Sequence, residues 1–180
     1  MEEGKRMLDV AFAGVPTRVG TVMAAVTRAG VVAAAFRDGP EARGRVLEHL
    51  DAAEADDPAR TTLVREELAA YFAGELQRFT VPVDWRLMSP LQRRVLGTLY
   101  TRVPYGKVIT YGELGAASRA GVDARAIGQV MGSNPLPIIV PCHRVVAGNG
   151  IGGFSGTGIE TKRWLLTLEG HLAPTLDWEL

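Results

Sequence analysis

The residues best suited to chemistry gather in one stretch. A β-branched run, Ile138-Ile139-Val140, meets Pro141, and Cys142-His143-Arg144 follows. Cys142 is the single cysteine of the 180 residues, so an internal disulfide and a thiolate zinc cluster are both excluded. His49, His143 and His171 are the histidines, too few and scattered for a histidine-rich metal site. No metal and no cofactor is expected. A lone cysteine is by default a small buried hydrophobe. Its neighbours argue for more, because the thiolate is the nucleophile and nearby cations lower a thiol pKa from about 8.5. His143 and Arg144 supply such cations. In extended backbone, adjacent side chains point opposite ways. His143 is therefore expected to reach Cys142 only through a water or a turn of the backbone. Arg144 returns to the cysteine's side, or braces the fold on backbone carbonyls.

The elements that must position this stretch are legible from punctuation. Ser89-Pro90 reads as an N-cap with proline at the first helical position, and Leu91, Val95, Leu99 and Val103 form an apolar stripe over 90–103. Lys107 to Thr110 is extended. Thr110 and Glu113 then make a capping box for a short helix to about Ser118. Gly121-Val122 turns the chain, and Asp123 caps a second helix that ends at Gly132. Two short helices on a tight turn are a helix-turn-helix candidate. Ile127, Val130 and Met131 point inward; Arg125, Gly128, Gln129 and Gly132 share the other face. That face carries little bulk, so its backbone can approach another surface closely.

The first half reads differently. Leu8 to Phe12, Gly20 to Thr27 and Val31 to Phe36 are Val-rich runs separated by Gly-Val-Pro and Arg-Ala-Gly, a small antiparallel sheet. Residues 41–50 are helical, 51–59 loose and acidic. A better helix starts at Thr61, with Leu63, Leu68, Tyr71 and Phe72 at helical spacing. Phe79 to Trp85 is an extended connector, which places a domain boundary near residue 85. Residues 1–84 carry 10 Lys/Arg and 14 Asp/Glu, a net of −4; residues 85–180 carry 10 and 6, a net of +4. Zero overall charge argues weakly against a nucleic-acid partner, but this asymmetry points the second half at a polyanion. No run of 18 apolar residues is present, and the acidic start has no signal-peptide core, so a cytoplasmic protein is expected.

Pro141-Cys142-His143-Arg144-Val145-Val146, preceded by Asn134-Pro135, resembles the active-site signature of the O6-alkylguanine-DNA alkyltransferases. Four further segments resemble that family in order: Pro104-Tyr105-Gly106-Lys107 with Thr110-Tyr111-Gly112-Glu113-Leu114, Ala124-Arg125-Ala126-Ile127-Gly128, Lys162 to Glu169-Gly170, and Tyr71-Phe72-Ala73-Gly74-Glu75-Leu76. The resemblance implies an α+β chain: a small N-terminal α/β domain (1–84) with an antiparallel sheet, then a mostly helical C-terminal domain (85–180). It implies suicide transfer of an alkyl group from O6-alkylguanine, and from O4-alkylthymine, to Cys142. His143, Glu169, Tyr111 and Lys162 would complete the catalytic set. Arg125, Ala126, Gly128, Gln129, Tyr111 and Arg144 would meet double-stranded DNA from the minor groove, with Arg125 filling the gap left by a flipped base. Asn134, Pro137, Val145, Phe154 and Ser155 would surround the alkylguanine, and the protein would act as a monomer. One departure stands out. Gly153-Phe154-Ser155-Gly156-Thr157-Gly158 replaces the family's Gly-Tyr-x-Gly-Gly, with about one extra residue and no phenol.

Other readings compete. A non-catalytic damage sensor on the same scaffold would lack the cysteine. A Cys-His hydrolase needs an oxyanion hole that nothing in the sequence points to. A helix-turn-helix regulator would leave Cys-His-Arg idle.

Overall fold

The computed structural model describes residues 7–154 and 158–174. Strands β1 (Asp9–Thr17), β2 (Gly20–Thr27) and β3 (Gly30–Ala35) form an antiparallel meander. After α1 (Pro40–Leu50), β4 (Ala53–Glu54) pairs parallel to the start of β1, giving the sheet order β3-β2-β1-β4. Side chains alternate across a strand, and both faces of this sheet are covered. Met23, Ala25 and Val32 pack towards α1 with Val46, whereas Val22, Ala24 and Val26 join Leu68 of α2 (Thr62–Phe72) and the helical half. That explains why β2 reads as continuously apolar: Val22 to Thr27 are all buried.

The connector from the first half lies against the sheet rather than hanging free. Val31 N donates to the Pro82 carbonyl at 2.9 Å, and Asp84 N donates back to Val31. Gly30 permits this approach: a Cβ there would meet the Pro82 oxygen at 2.4 Å, at φ +145.

In the second half, α3 (Pro90–Arg102) starts with a complete capping box between Ser89 and Gln92. β5 (Ile109–Thr110) leads into α4 (Tyr111–Ser118), capped by the Thr110–Glu113 box. α5 (Ala124–Gly132) begins where Asp123 accepts from Ala126 N at 2.9 Å. Ile127, Val130 and Met131 are buried, as their spacing required. β6 (Val145–Val146) pairs parallel to β5, and α6 (Ile159–Leu168) closes the described chain. One core cluster takes Val22, Leu68 and Tyr71 from the first half together with Leu96, Leu99, Ile127 and Leu165 from the second.

Several expectations are corrected. β1 runs through Gly14-Val15-Pro16 instead of turning there; the turn is Arg18-Val19, between paired Thr17 and Gly20. Beyond Val10, β4 no longer pairs with β1, so Pro16 sits where β1 is an edge, and its missing N–H is tolerated. Residues 51–59 hold β4 and the start of a short 3₁₀ turn, Pro58–Thr61. Leu63 and Leu91 are exposed, at 44% and 36%, and Val64 and Leu96 take the buried positions. Apolar residues next to each other leave the helix phase ambiguous, and packing decides it.

Candidate active site

The segment that carries Cys142 is held by its own turns. Asn134 is the clamp: its Nδ2 donates to the Val140 carbonyl at 2.9 Å, and its Oδ1 accepts from Leu136 N at 2.9 Å. Inside that loop, Ile139 N donates to Pro137 O at 3.0 Å around Ile138, whose φ is +75. A buried β-branched residue in that region is strained, by about 1–3 kcal/mol. A second tight turn has Cys142 N donating to Val140 O at 2.9 Å across Pro141. Cys142–Arg144 then form one turn of 3₁₀ helix. The extended backbone expected here is therefore absent. With three residues per turn the side chains fan out instead of alternating.

Cys142 lines a cleft of about 500 Å³ between the two halves, although only 7% of the residue is exposed. Asn134, Pro137, Met131 and Phe154 line the same cleft from the second half; Phe36, Arg37, Glu41 and Arg45 line it from the first. Phe154 packs edge-on against Phe36, with ring centroids 5.8 Å apart.

His143 and Arg144 turn inward to Glu169, which ends α6. His143 Nε2 lies 2.8 Å from Glu169 Oε1; Arg144 Nε donates to Oε2 and Nη2 to Oε1, each at 2.9 Å. A carboxylate at a helix C-terminus opposes the helix dipole, so its partners must hold it there. Burial alone would raise the Glu169 carboxyl, but His143 and Arg144 outweigh it and keep it well below the usual carboxylate range. An ionised carboxylate only accepts, so Nε2 carries the imidazole proton. Nδ1 is then the free base, buried and without a hydrogen-bond partner among the described residues. Burial, with Arg144 and Lys162 adding to it, pushes the His143 pKa down against the pull of Glu169. The ring is neutral and able to take a proton at ordinary pH.

Burial raises the Cys142 thiol; the Asn134 amide, the Lys162 charge and the backbone N–H groups of Cys142 and His143 offset part of that rise. Lys162 is fully buried and donates to Val145 O at 2.6 Å and Gly153 O at 3.0 Å. Burial brings its pKa down from 10.5 to about 8, with the cysteine's charge opposing. Its Nζ lies 5.8 Å from the centre of the Tyr111 ring. The β5–β6 ladder pairs Thr110 with Val146, which sets Tyr111 beside the Cys-His-Arg turn. Burial, then the cysteine's charge, raise the Tyr111 phenol, so it stays protonated and able to donate.

The structure thus brings together Cys142, His143, Glu169, Lys162 and Tyr111, and puts Asn134, Pro137 and Phe154 on the cleft. Arg125 and Gln129 are exposed on α5, and Gly128 and Ala126 half-buried. Arg144 is a correction. It is 8% exposed, and its guanidinium is taken up by Glu169 and by the Val103 carbonyl at 2.8 Å, so it braces the site and does not face outward to DNA. Val145 is fully buried, its carbonyl already accepting from Lys162. Ser155 lies outside the described residues. Sequence reasoning missed the wall supplied by Phe36, Arg37, Glu41 and Arg45, which no local signal announces. It also missed Tyr71 as a partner of Glu169.

A thiol on a cleft, with an imidazole–carboxylate pair at the next residue and two short helices on a tight turn, is a frame that suits a group-transfer protein. Comparison with known proteins narrows the class. A family model described as 6-O-methylguanine DNA methyltransferase, DNA binding domain, matches residues 90–171. The methylated-DNA–protein-cysteine methyltransferase of Mycobacterium tuberculosis is 45% identical over 119 residues, 66% of this chain and 70% of that one. That of Mycolicibacterium paratuberculosis is 46% identical over 110 residues, 61% of this chain and 65% of the relative, so that match spans just under two thirds of its length. The crystal structure of Mycobacterium tuberculosis O6-methylguanine methyltransferase superposes with a TM-score of 0.74 at 33% identity, over 93% of this chain and 96% of that one. The same organism's protein in complex with DNA gives 0.72 at 32% identity, over 89% and 93%. The chain belongs to the methylated-DNA–protein-cysteine methyltransferase family.

Proposed function

We propose that the chain repairs DNA by taking an alkyl group from O6 of guanine, and from O4 of thymine, onto Cys142. The bond between the alkyl carbon and O6 breaks as a bond from Sγ to that carbon forms. The thiol proton passes to Nδ1 of His143, directly or through a water, and Glu169 stabilises the resulting imidazolium. The electron pair of the broken bond stays on guanine, and the Tyr111 phenol supplies the proton that makes it a competent leaving group. Lys162 favours the thiolate. The product is a thioether, which has no easy leaving group, so each molecule acts once.

A target inside a duplex must be flipped out, at a cost of a few kcal/mol. The bare face of α5, with Ala126, Gly128 and Gln129, enters the minor groove, and Arg125 fills the vacated stack. Asn134, Pro137 and Phe154 surround the extruded base. The protein works as a cytoplasmic monomer. No helix among the described residues is long and apolar enough to cross a membrane.

One observation carries this reading: the chain's single thiol opens on a cleft while an imidazole–carboxylate pair lies behind it. Incubation with duplex DNA containing O6-methylguanine should raise the protein's mass by one methyl, on Cys142, and by no more than one. Cys142→Ala should lose transfer and keep DNA binding. Repair by that variant would refute the assignment.

A further inference from the structure

The first half supplies a group to the reaction centre. Tyr71 lies on α2, 1% exposed, 98 positions before Glu169 in sequence. Its hydroxyl donates to Glu169 Oε1 at 2.7 Å and lies 3.4 Å from His143 Nε2. The ring is fixed by aromatic neighbours: Phe72 and Phe79 at 5.4 Å and Tyr105 at 6.2 Å between centroids. Oε1 thus serves three donors: Tyr71, His143 and Arg144. No other residue of the first half is placed on this carboxylate by a hydrogen bond among the described residues.

We propose that Tyr71 is a positioning residue for alkyl transfer: its hydroxyl fixes the Glu169 carboxylate and limits how strongly that carboxylate draws on His143. The inference rests on the reading of Cys142, His143 and Glu169 as the proton path. Its physical basis is competition. A donor on Oε1 draws negative charge towards itself and leaves less for the bond to Nε2–H. The less the carboxylate draws on that N–H, the less the imidazolium is favoured, and the lower the pH at which Nδ1 stays free. The charged and titratable groups facing His143 are Glu169 and Arg144 beside it, Lys162 from α6, Cys142 from the same turn, and Tyr71 from α2, with Tyr105 behind Arg144. Tyr71 itself stays protonated: burial, then the charge of Glu169, hold its phenol well above the ordinary value.

The test is Tyr71→Phe, which removes the hydroxyl and keeps the ring. In protein labelled with ¹⁵N-histidine, His143 is one of three imidazoles and is assigned by His143→Gln. The expected result is that His143 titrates about half a unit to one unit higher in Tyr71→Phe, with His49 and His171 unmoved. The acid limb of the single-turnover rate on O6-methylguanine duplex should rise by the same amount. Phe79→Leu, which loosens the packing around Tyr71 but leaves its hydroxyl, should lower the melting temperature without moving either titration. If His143 titrates at the same pH in Tyr71→Phe and in the parent protein, or in neither above the acid unfolding limit, the inference is overturned. Absence of methyl transfer in the parent protein would strike the repair reading instead, and the imidazole titration would still judge Tyr71.

Discussion

Glu67 in the first half and Glu169 in the second are both buried, and the two are used in opposite ways. Glu67, on α2, accepts from Thr80 N at 2.9 and 3.0 Å, from Val81 N at 3.2 Å and from the Thr80 hydroxyl. Its partners are neutral and local to the connector, so it pins a chain segment. Glu169, the C-cap of α6, faces His143, Arg144 and the Tyr71 hydroxyl, a cluster with two basic groups. Elsewhere in the first half the ion pairs keep at least one partner partly exposed, as in Arg60–Asp9, Arg43–Asp38 and the pair of buried Asp84 with Arg86. The second half buries His143, Arg144, Lys162 and Glu169. Burying charge is costly unless it is paired. The half that accepts this cost is the one with a nucleophile to tune.

The largest effect expected from this contrast is at Glu169. Glu169→Gln leaves Arg144 buried without a counter-charge, which should cost about 3–5 kcal/mol in denaturant unfolding. Single-turnover transfer should fall by about a hundredfold or more, because the base loses its support. Glu67→Gln should cost about 1–3 kcal/mol and leave transfer per folded molecule unchanged. A matching loss of transfer in Glu67→Gln would break the comparison.

Lys162→Met comes next. Removing the buried cation should raise the thiol pKa and slow transfer at neutral pH by about three- to tenfold, read by iodoacetamide alkylation against pH. Lys162 and Glu169 also predict pH dependences of stability in two separate windows, rising with pH in each. The folded-state pKa of Lys162 is about 8, against 10.5 ordinarily, so the unfolded chain holds that proton more tightly. Its penalty is fully present below about pH 8 and is relieved as the pH rises towards 10.5. The folded-state pKa of Glu169 is depressed from 4.5, so its contribution is present above that pH and is lost as the pH falls further. Melting curves should show the alkaline gain disappear in Lys162→Met and the acid loss flatten in Glu169→Gln.

The smallest effect lies outside both buried clusters. Arg125→Ala should slow repair of duplex O6-methylguanine by more than it slows reaction with the free modified base, with little change in stability. Equal slowing on both substrates would remove Arg125 from base extrusion.

How much of this was legible depended on range. The helices of the second half could be read because their starts are written locally: Ser89-Pro90, Thr110 with Glu113, and Asp123 each satisfy N–H groups within one turn. That Glu169 lies with His143 beside Cys142 was expected through resemblance, since spacing alone could not join residues 142 and 169. The direction of Arg144 was not legible. It depends on the 3₁₀ turn, and that turn follows from tight turns at Ile138 and Pro141, which no pattern of residue types dictates. The first strand was cut short in the reading because Gly-Val-Pro looks like a turn, and only the partial pairing of β4 shows why a proline fits there. Tyr71 was visible in a motif but silent about its partner, because that contact closes only when the halves pack together.

Gly152 carries a consequence for how the site can change. At φ +74 it lies where an added Cβ would come within 3.1 Å of the Tyr111 phenol oxygen and 3.2 Å of Ala147 N. The reach of the Tyr111 phenol is therefore set partly by a methyl group that is missing from the loop above it. Any side chain at this position would push the ring aside as well as strain the loop. Variation that reshapes the pocket has to enter elsewhere along the loop.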